Sequence, residues 1–265
     1  MSNDLWEVSA IRYAHLDRRS RDNFVGGDEH DVPMPLDYYV WVIQGGGRTI
    51  LVDTGFGAEA ARKRGRQIVK PVSDGLTALG IDPGTVEDVV ITHMHYDHAG
   101  NIAMFPRARF HVQDGEMAFA TGRHMRHGMQ NHGYEVNDVV QLVRHVYDDR
   151  VQFHDGAGEL APGIELHHVP GHTPGLQSVR VKTRRGWVVL ASDASHFYAH
   201  VDGNRVYPVV FSAGDALEGY GKLRSLATSS QHIVPGHDPL VLTRYPAARP
   251  GTEGWIVRLD ADPSA

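Results

Sequence analysis

Short runs of apolar residues recur along the chain and predict β-strands, many of them with alternating apolar and polar positions. Residues 36–44 and 48–53 flank Gly45-Gly46-Gly47 and predict a hairpin. Further strands are expected at residues 6–15, 88–91, 109–112, 151–154, 164–168, 176–182, 187–191, 232–235 and 255–259. Several of these runs end in His, Asp or Pro-Gly, so polar chemistry is concentrated at predicted strand ends.

Four segments predict helices from their caps and from the spacing of their apolar residues. Residues 72–79 precede Gly80 at the C′ position, and Asp114 is a candidate N-cap for a helix through residue 120. Residues 137–147 predict a third helix. Ser212-Ala213-Gly214-Asp215 resembles a capping box and predicts a fourth helix that runs to about residue 228.

Two further segments are expected to border a binding pocket. Residues 16–35 are rich in charge, Gly and Pro, and predict a long surface loop that is either a binding loop or a plain connection. Residues 121–150 predict a helical insert that covers the pocket. A chain of 265 residues can bury one large core, so residues 1–265 are expected to form a single domain with both segments near its active site.

The composition is that of a globular protein and excludes several kinds of site. The formal net charge of −6 argues against a nucleic-acid partner, which usually requires a basic surface. The absence of cysteine excludes disulfides, thiolate metal ligands and thiol nucleophiles. The first residues are acidic where a signal peptide is basic, and no apolar run reaches the length of a membrane span. A cytoplasmic location without a membrane partner is therefore expected.

One stretch, Ile91-Thr92-His93-Met94-His95-Tyr96-Asp97-His98-Ala99-Gly100, concentrates metal-binding side chains directly after a predicted strand. In an extended segment alternate side chains point the same way, so His93, His95 and Asp97 are expected to face one pocket. His98 joins them only if the backbone turns after Asp97. Nitrogen and oxygen donors suit zinc, while iron, manganese and cobalt stay open.

Other strand ends and rigid turns display single His or Asp residues. His172 lies between two Gly/Pro pairs in Pro170-Gly171-His172-Thr173-Pro174-Gly175, and His237 follows Pro235-Gly236. Asp193 follows Ser192 at the end of a predicted strand. Asp53, before Thr54-Gly55, either caps its own turn or accepts a hydrogen bond from a metal-binding His.

These motifs, in this order and with these separations, resemble the metallo-β-lactamase superfamily over residues 36–240. The resemblance implies an α/β (α+β) fold, an αββα sandwich of two mixed sheets flanked by helices. It also implies two Zn²⁺ ions at one edge, which together supply a bridging hydroxide nucleophile. The ligands it implies are His93, His95 and His172 for one ion, and Asp97, His98 and His237 for the other, with Asp193 between both. Asp97 is also expected to orient or receive a proton.

Within the superfamily, the chain looks most like the N-acyl homoserine lactonase branch. That resemblance implies a quorum-quenching hydrolase that opens a small lactone or ester. Either a monomer or a homodimer is expected. Enzymes of this branch use a Tyr three residues after the bridging Asp, but His196 has that place here and the nearest Tyr is Tyr198. Both are candidates for contacting the substrate, and both could instead pack against the loop.

Three alternatives stay open at the level of sequence. A thioester hydrolase like glyoxalase II would need a basic helical region after His237, which has no counterpart here. An iron redox or sulfur-oxidising protein could use the same ligand types. A binding module without activity would retain the metal ligands and hydrolyse nothing.

Overall fold

The computed structural model describes residues 5–264 and contains, within that range, thirteen strands and nine α-helices. The strands are β1 (Glu7–Leu16), β2 (Leu36–Gly45), β3 (Arg48–Val52), β4 (Gln67–Ile68), β5 (Asp88–Val90), β6 (Arg109–Gln113), β7 (Val151–His154), β8 (Gly158–Ala161), β9 (Ile164–His168), β10 (Gln177–Thr183), β11 (Gly186–Ser192), β12 (Ile233–Pro235) and β13 (Ile256–Arg258). The helices are α1 (Ala58–Arg64), α2 (Val72–Ala78), α3 (Tyr96–Ala99), α4 (Asp114–Ala120), α5 (Gly128–Asn131), α6 (Val136–Tyr147), α7 (Tyr198–Gly203), α8 (Ala213–Leu226) and α9 (Leu240–Arg244).

The strands form two mixed sheets. The first has the order β13-β1-β2-β3-β5-β6-β7, with β4 paired to β1, and the second has the order β12-β11-β10-β9-β8. In the first sheet β1, β2 and β3 are antiparallel, whereas β3, β5, β6 and β7 are parallel. In the second sheet β12 alone pairs in parallel, with β11. Parallel neighbours bring the carboxyl ends of several strands to one edge.

Alternate side chains of the central strands point to two different apolar layers. In β2, Tyr38 and Val40 pack on the helical side of the first sheet, whereas Tyr39 and Trp41 pack between the two sheets. A strand buried on both faces requires a nearly continuous apolar run, which β2 has. The alternation therefore places β2 in the centre of the molecule.

The second sheet is covered in the same way. Val188 and Leu190 of β11 face the first sheet, while Val189 and Ala191 pack outward against α8, where Leu223 is fully buried. Helices thus flank both outer faces, and the expected αββα arrangement of two mixed sheets is confirmed. Among residues 5–264, no helix combines the length and hydropathy that crossing a membrane would require.

Most predicted elements are present within one or two residues, with three kinds of difference. Helix α4 begins at Asp114 itself, whose side chain does not cap it, so the predicted N-cap is wrong. The elements α1, α7 and β8 were not predicted from the pattern of apolar residues. The loop at 16–35 is anchored: Phe24 is buried and its ring lies 4.9 Å from the ring of His200.

Candidate metal centre

The His-rich stretch after β5 bends before it reaches Asp97. Residues 92–95 form a loop, and α3 begins at Tyr96, so Asp97 lies in a helical turn. The expectation that Asp97 continues an extended segment is therefore wrong, because His95 ends that segment as the N-cap of α3. The turn that His98 requires is present. Thr54 secures it by donating from its backbone N–H and its hydroxyl to the carbonyl of His98, at 2.7 and 3.0 Å.

The remaining candidate ligands come from the second sheet. His172 lies in the loop between β9 and β10, Asp193 directly follows β11, and His237 lies two residues after β12. All the candidates in this cluster are buried: His93, His95, Asp97, His98, His172, Asp193, His196 and His237. The edges of the two sheets thus bring eight separate His and Asp side chains into one buried group.

Asp193 lies between two sets of imidazoles. On one side, Nε2 of His172 lies 3.1 Å from Nε2 of His93 and 2.9 Å from Nδ1 of His95, and 3.3 Å from Oδ2 of Asp193. On the other side, Oδ1 of Asp193 lies 3.4 Å from Nε2 of His98 and 3.1 Å from Nε2 of His237.

Asp97 completes the second set. Its Oδ2 lies 3.6 Å from Nε2 of His98 and 3.8 Å from Nε2 of His237. Four groups of three residues in the cluster bring one donor atom each to within 4.8 Å of one another: His93/His95/His172, His93/His98/Asp193, Asp97/His98/His237 and His172/Asp193/His196. The second and third groups show that Asp193 and Asp97 are both placed to serve the side that holds His98.

In three of the imidazole rings, the nitrogen that points away from the cluster is hydrogen-bonded. These hydrogen bonds determine which nitrogen faces the cluster. Nδ1 of His172 donates to the carbonyl of Val209 at 2.7 Å, and Nδ1 of His237 donates to that of Asp37 at 2.9 Å. Nδ1 of His98 donates to Asp53 at 2.7 Å. In neutral imidazole the opposite nitrogen, Nε2, then carries the lone pair.

When these rings are neutral, their lone pairs converge with the Asp193 carboxylate on one buried space. Nε2 of His98 and Oδ1 of Asp193 are buried and have no hydrogen-bond partner among the described residues. Buried acceptors that face only one another are unfavourable unless a cation lies between them. This donor set of imidazole nitrogens and carboxylate oxygens fits zinc.

The pKa shifts of the histidines differ between the two sides of Asp193. Burial lowers the pKa of His93 and His95 well below the usual range and that of His172 to about 3, so these rings are neutral and able to bind a metal. Burial also opposes charge on His98 and His237, but Asp193 and neighbouring carboxylates outweigh it and raise both pKa values. The cluster is thus electrostatically coupled through Asp193.

Asp53 supports the cluster from the end of β3. Its Oδ1 accepts the backbone N–H of Thr92 at 2.7 Å, and its Oδ2 accepts the Thr92 hydroxyl at 2.8 Å and Nδ1 of His98 at 2.7 Å. Of the two interpretations of Asp53, the hydrogen bond to a candidate ligand is the one present. Its left-handed backbone, with φ of 62°, turns the carboxylate towards the loop that follows β5.

Glu116 is a supporting residue that the sequence reasoning missed. It is fully buried in α4 and accepts the backbone N–H of Met94 at 2.8 Å, the Tyr134 hydroxyl at 3.0 Å and the Thr173 hydroxyl. It thereby joins the His93–His98 stretch to the loop that holds His172. A Glu in the first turn of a helix is usually exposed, so no local pattern distinguishes this one.

The geometry agrees with what sequence comparison finds. The sequence model described as the Metallo-beta-lactamase superfamily matches residues 34–244. The chain belongs to this superfamily. It is 33% identical over 171 residues to the N-acyl homoserine lactonase AttM of Azorhizobium caulinodans, an alignment that covers 61% of this chain and 62% of that protein. It is 29% identical over 235 residues to AttM of Rhizobium radiobacter, which covers 80% of this chain and 84% of that protein.

A solved structure shows the same architecture. The crystal structure of a quorum-quenching N-acyl homoserine lactone lactonase superposes with a TM-score of 0.73 at 23% identity, over 90% of this chain and 94% of that one. At this identity the likeness concerns the fold. The resemblance to the metallo-β-lactamase superfamily and the predicted fold class are both confirmed.

His196 lies beside the buried His/Asp cluster. Its Nε2 is 3.1 Å from Oδ2 of Asp193, and its ring stacks on Tyr207 with 3.8 Å between centroids. The Tyr207 hydroxyl in turn donates to the backbone carbonyl of Asp193. His196 also lines a cavity that borders His95, Asp97, His172, Asp193 and His237. The structure thus brings His196 together with the candidate ligands.

Tyr198 is directed elsewhere. It is the first residue of α7 and packs between the sheets, with the Arg244 guanidinium 3.8 Å from the centre of its ring. The cavity that it lines is a different one, bordered by Asp202 and Tyr245. The structure therefore does not bring Tyr198 together with the candidate metal ligands.

Residues from several segments form the rest of the wall around the centre. Tyr38 of β2 lines the cavity, and its ring lies 5.0 Å from that of His237. Arg18 from the loop at 16–35 and His132 from the segment at 121–150 line the same cavity, as does Arg66. The wall of the cavity beside the His/Asp cluster accordingly includes cationic groups.

Proposed function

We propose that this protein is a two-zinc hydrolase that opens the ring of an N-acyl homoserine lactone or a related lactone. The observation that carries the proposal is the convergence of imidazole lone pairs on both sides of the buried Asp193 carboxylate. The lactonases among its relatives support a lactone as the substrate. His93, His95 and His172 would hold one ion, Asp97, His98 and His237 the other, and Asp193 both. Bound zinc would supply a water-derived nucleophile at neutral pH and polarise the carbonyl.

The residues around the ions would position the substrate and move the proton. Asp97 points its carboxylate at the cluster and is placed to orient water or accept its proton. Burial lowers the pKa of His196 to about 3, so its ring is neutral and can donate one N–H to the lactone carbonyl or leaving oxygen. Burial raises the pKa of Tyr38 to about 12, so its phenol stays protonated and can donate as well. Tyr38 and Tyr96 line this cavity, whereas Tyr198 does not.

The test combines elemental analysis with a pH-drop assay on a panel of lactones. The wild type is expected to hold about two zinc ions per chain and to open acyl homoserine lactones. Asp193→Ala is expected to lose metal and at least about 10³-fold in kcat, since the nucleophile depends on both ions. Glu253→Gln removes an exposed negative charge that belongs neither to the cluster nor to its cavity, and it is the matched control, expected to retain both properties.

Two other results would change the proposal. If the protein held two metal ions but hydrolysed only thioesters, the proposed hydrolytic chemistry would stand and the proposed substrate would be wrong. One iron per chain, an iron absorption band and no hydrolysis would overturn the hydrolase and favour a redox protein. Monomer or homodimer, and a cytoplasmic location, are predictions from the sequence that size-exclusion chromatography and cell fractionation would check.

A further inference from the structure

Two arginines in the cavity beside the cluster have no acidic partner. Among the residues that the structure describes, Arg64 pairs with Glu135 at 2.7 Å and Arg19 with Asp31 at 2.8 Å. Arg18 and Arg66 also line this region of the molecule, yet neither has a carboxylate within ion-pair distance in the same described range. Both are partly buried, so they carry positive charge in a site of reduced solvation.

Each of the two guanidinium groups is held in place on one side and free on the other. Nε of Arg66 donates to the Tyr96 hydroxyl at 3.1 Å, and its Nη1 donates to the carbonyl of Arg64 at 2.6 Å. Nη2 of Arg18 donates to the carbonyl of Asp22. Over residues 5–264, Nη2 of Arg66 and both Nε and Nη1 of Arg18 make no hydrogen bond. Donors that are oriented but unused are suited to bind a ligand.

The acidic groups of the cavity are committed to the histidine cluster. Asp193 lies among five imidazoles, and Asp97 lies within 3.8 Å of both His98 and His237. Cations bound in the cluster would engage these carboxylates further. Among the described residues, Asp97 and Asp22 attract Arg66 and Arg18 only from beyond ion-pair distance, so neither guanidinium group has a carboxylate in direct contact.

The segment around Arg66 carries further positive charge. Residues 61–70 contain five of the chain's 26 Lys and Arg residues, at positions 62, 63, 64, 66 and 70. A cavity bordered by charge of one sign concentrates ligands of the opposite sign. Arg presents a planar fork of N–H groups that matches the oxygens of a carboxylate or phosphate.

We propose that Arg18 and Arg66 bind an anionic oxygen group of the substrate, a carboxylate or a phosphate, so that the lactone opened by this protein is itself negatively charged. The inference deepens the proposed function and rests on it. Arg66 is joined through Tyr96 to the stretch that carries His95 and Asp97, so an anion held there lies next to the reacting centre. A neutral acyl homoserine lactone would leave both guanidinium groups without a counter-charge in direct contact.

The test compares charged and neutral lactones in matched pairs on the zinc-loaded protein. The carboxylate pair is 5-oxotetrahydrofuran-2-carboxylate and its methyl ester, and the phosphate pair is 6-phosphoglucono-δ-lactone and glucono-δ-lactone. The wild type is expected to show the lower KM for the charged member, and the pair with the larger difference identifies the group. Arg66→Gln and Arg18→Gln are each expected to raise that KM about 10- to 100-fold and to change the KM of the neutral member far less, so that the advantage of the charged lactone is lost.

Two further variants make the result specific to the arginine fork. Arg66→Lys keeps the charge and loses the planar fork, so it is expected to give an intermediate KM. Arg62→Gln removes a positive charge from an exposed position of the same segment and is expected to behave like wild type. Equal KM values for charged and neutral lactones, unchanged by Arg66→Gln, would overturn the inference and leave the proposed function standing.

A failure of the proposed function would be seen separately, as no hydrolysis of any lactone. Isothermal titration with 2-hydroxyglutarate and with 6-phosphogluconate then tests the arginines alone. At least tenfold weaker binding of one anion to Arg66→Gln than to wild type would support an anion site. If Arg66→Gln bound each anion as tightly as wild type does, the anion site would be overturned.

Discussion

At the scale of single residues, the acceptors behind the imidazoles decide which nitrogen faces the cluster. His172 and His237 donate to backbone carbonyls, of Val209 and Asp37, which substitution of a side chain does not remove. His98 instead donates to the side chain of Asp53. Asp53 is therefore the supporting contact that a point mutation can test.

Asp53→Asn is expected to weaken zinc binding by about 10- to 100-fold, because the neutral amide holds the His98 ring less firmly and makes its Nε2 a poorer donor. The amide also retains only one acceptor for the three hydrogen bonds that Asp53 accepts. Competition with a chromophoric chelator measures the change. A zinc affinity equal to that of wild type would show that the contact with His98 serves the fold alone.

At the scale of elements, α4 and the loop before β10 hold the two ligand-bearing segments together. Gly175 passes so close to α4 that a Cβ on it would lie 1.9 Å from the backbone nitrogen of Glu116. Glu116 accepts hydrogen bonds from Met94 and Thr173, one in each segment. The relative position of His93, His95 and His172 thus depends on an approach that only glycine allows.

Gly175→Ala is expected to cost about 3 kcal/mol of unfolding free energy, since the methyl group collides with backbone and must push α4 away. Gly221→Ala is the matched control: Gly221 is exposed in α8, and a Cβ there meets no atom within 4 Å. That control is expected to gain about 0.5–1 kcal/mol from helix propensity. Urea unfolding measures both, and equal stabilities for the two variants would contradict this account of Gly175.

At the scale of the whole molecule, the cluster belongs to neither sheet alone. His93, His95, Asp97 and His98 follow a strand of the first sheet, and His172, Asp193 and His237 follow strands of the second. A metal bound by both sets would link the two sheets. Binding to the folded state alone stabilises that state.

Removal of metal is accordingly expected to lower the thermal midpoint by roughly 10 °C, which corresponds to about 4 kcal/mol at a free metal concentration near 1,000 Kd. Differential scanning calorimetry of zinc-loaded and dipicolinate-treated protein measures the difference. Added zinc should restore the original midpoint. The Asp193→Ala variant should respond little to either treatment, and an equal response in this variant would place the stabilising metal elsewhere.

Much of the architecture could be predicted from the sequence because its signals are local. The apolar runs predict most strands of both sheets, and Ser212 caps α8 as its capping-box pattern indicates, accepting the N–H of Asp215 at 3.3 Å. The short elements α1, α7 and β8 escaped prediction. Their formation depends on packing against distant parts of the chain, which no local pattern records.

The sequence by itself determined which metal-binding residues the chain displays and at which strand ends, because strands, tight turns and donor atoms follow from neighbouring residues. Only the tertiary structure decided which side chains share one cavity. His196 and Tyr198 are two residues apart, but α7 begins at Tyr198, so His196 faces the cluster and Tyr198 packs between the sheets. Glu116, Arg18 and Arg66 reach the site from other elements. Their roles depend on how the two sheets and their helices pack together, which residue spacing cannot specify.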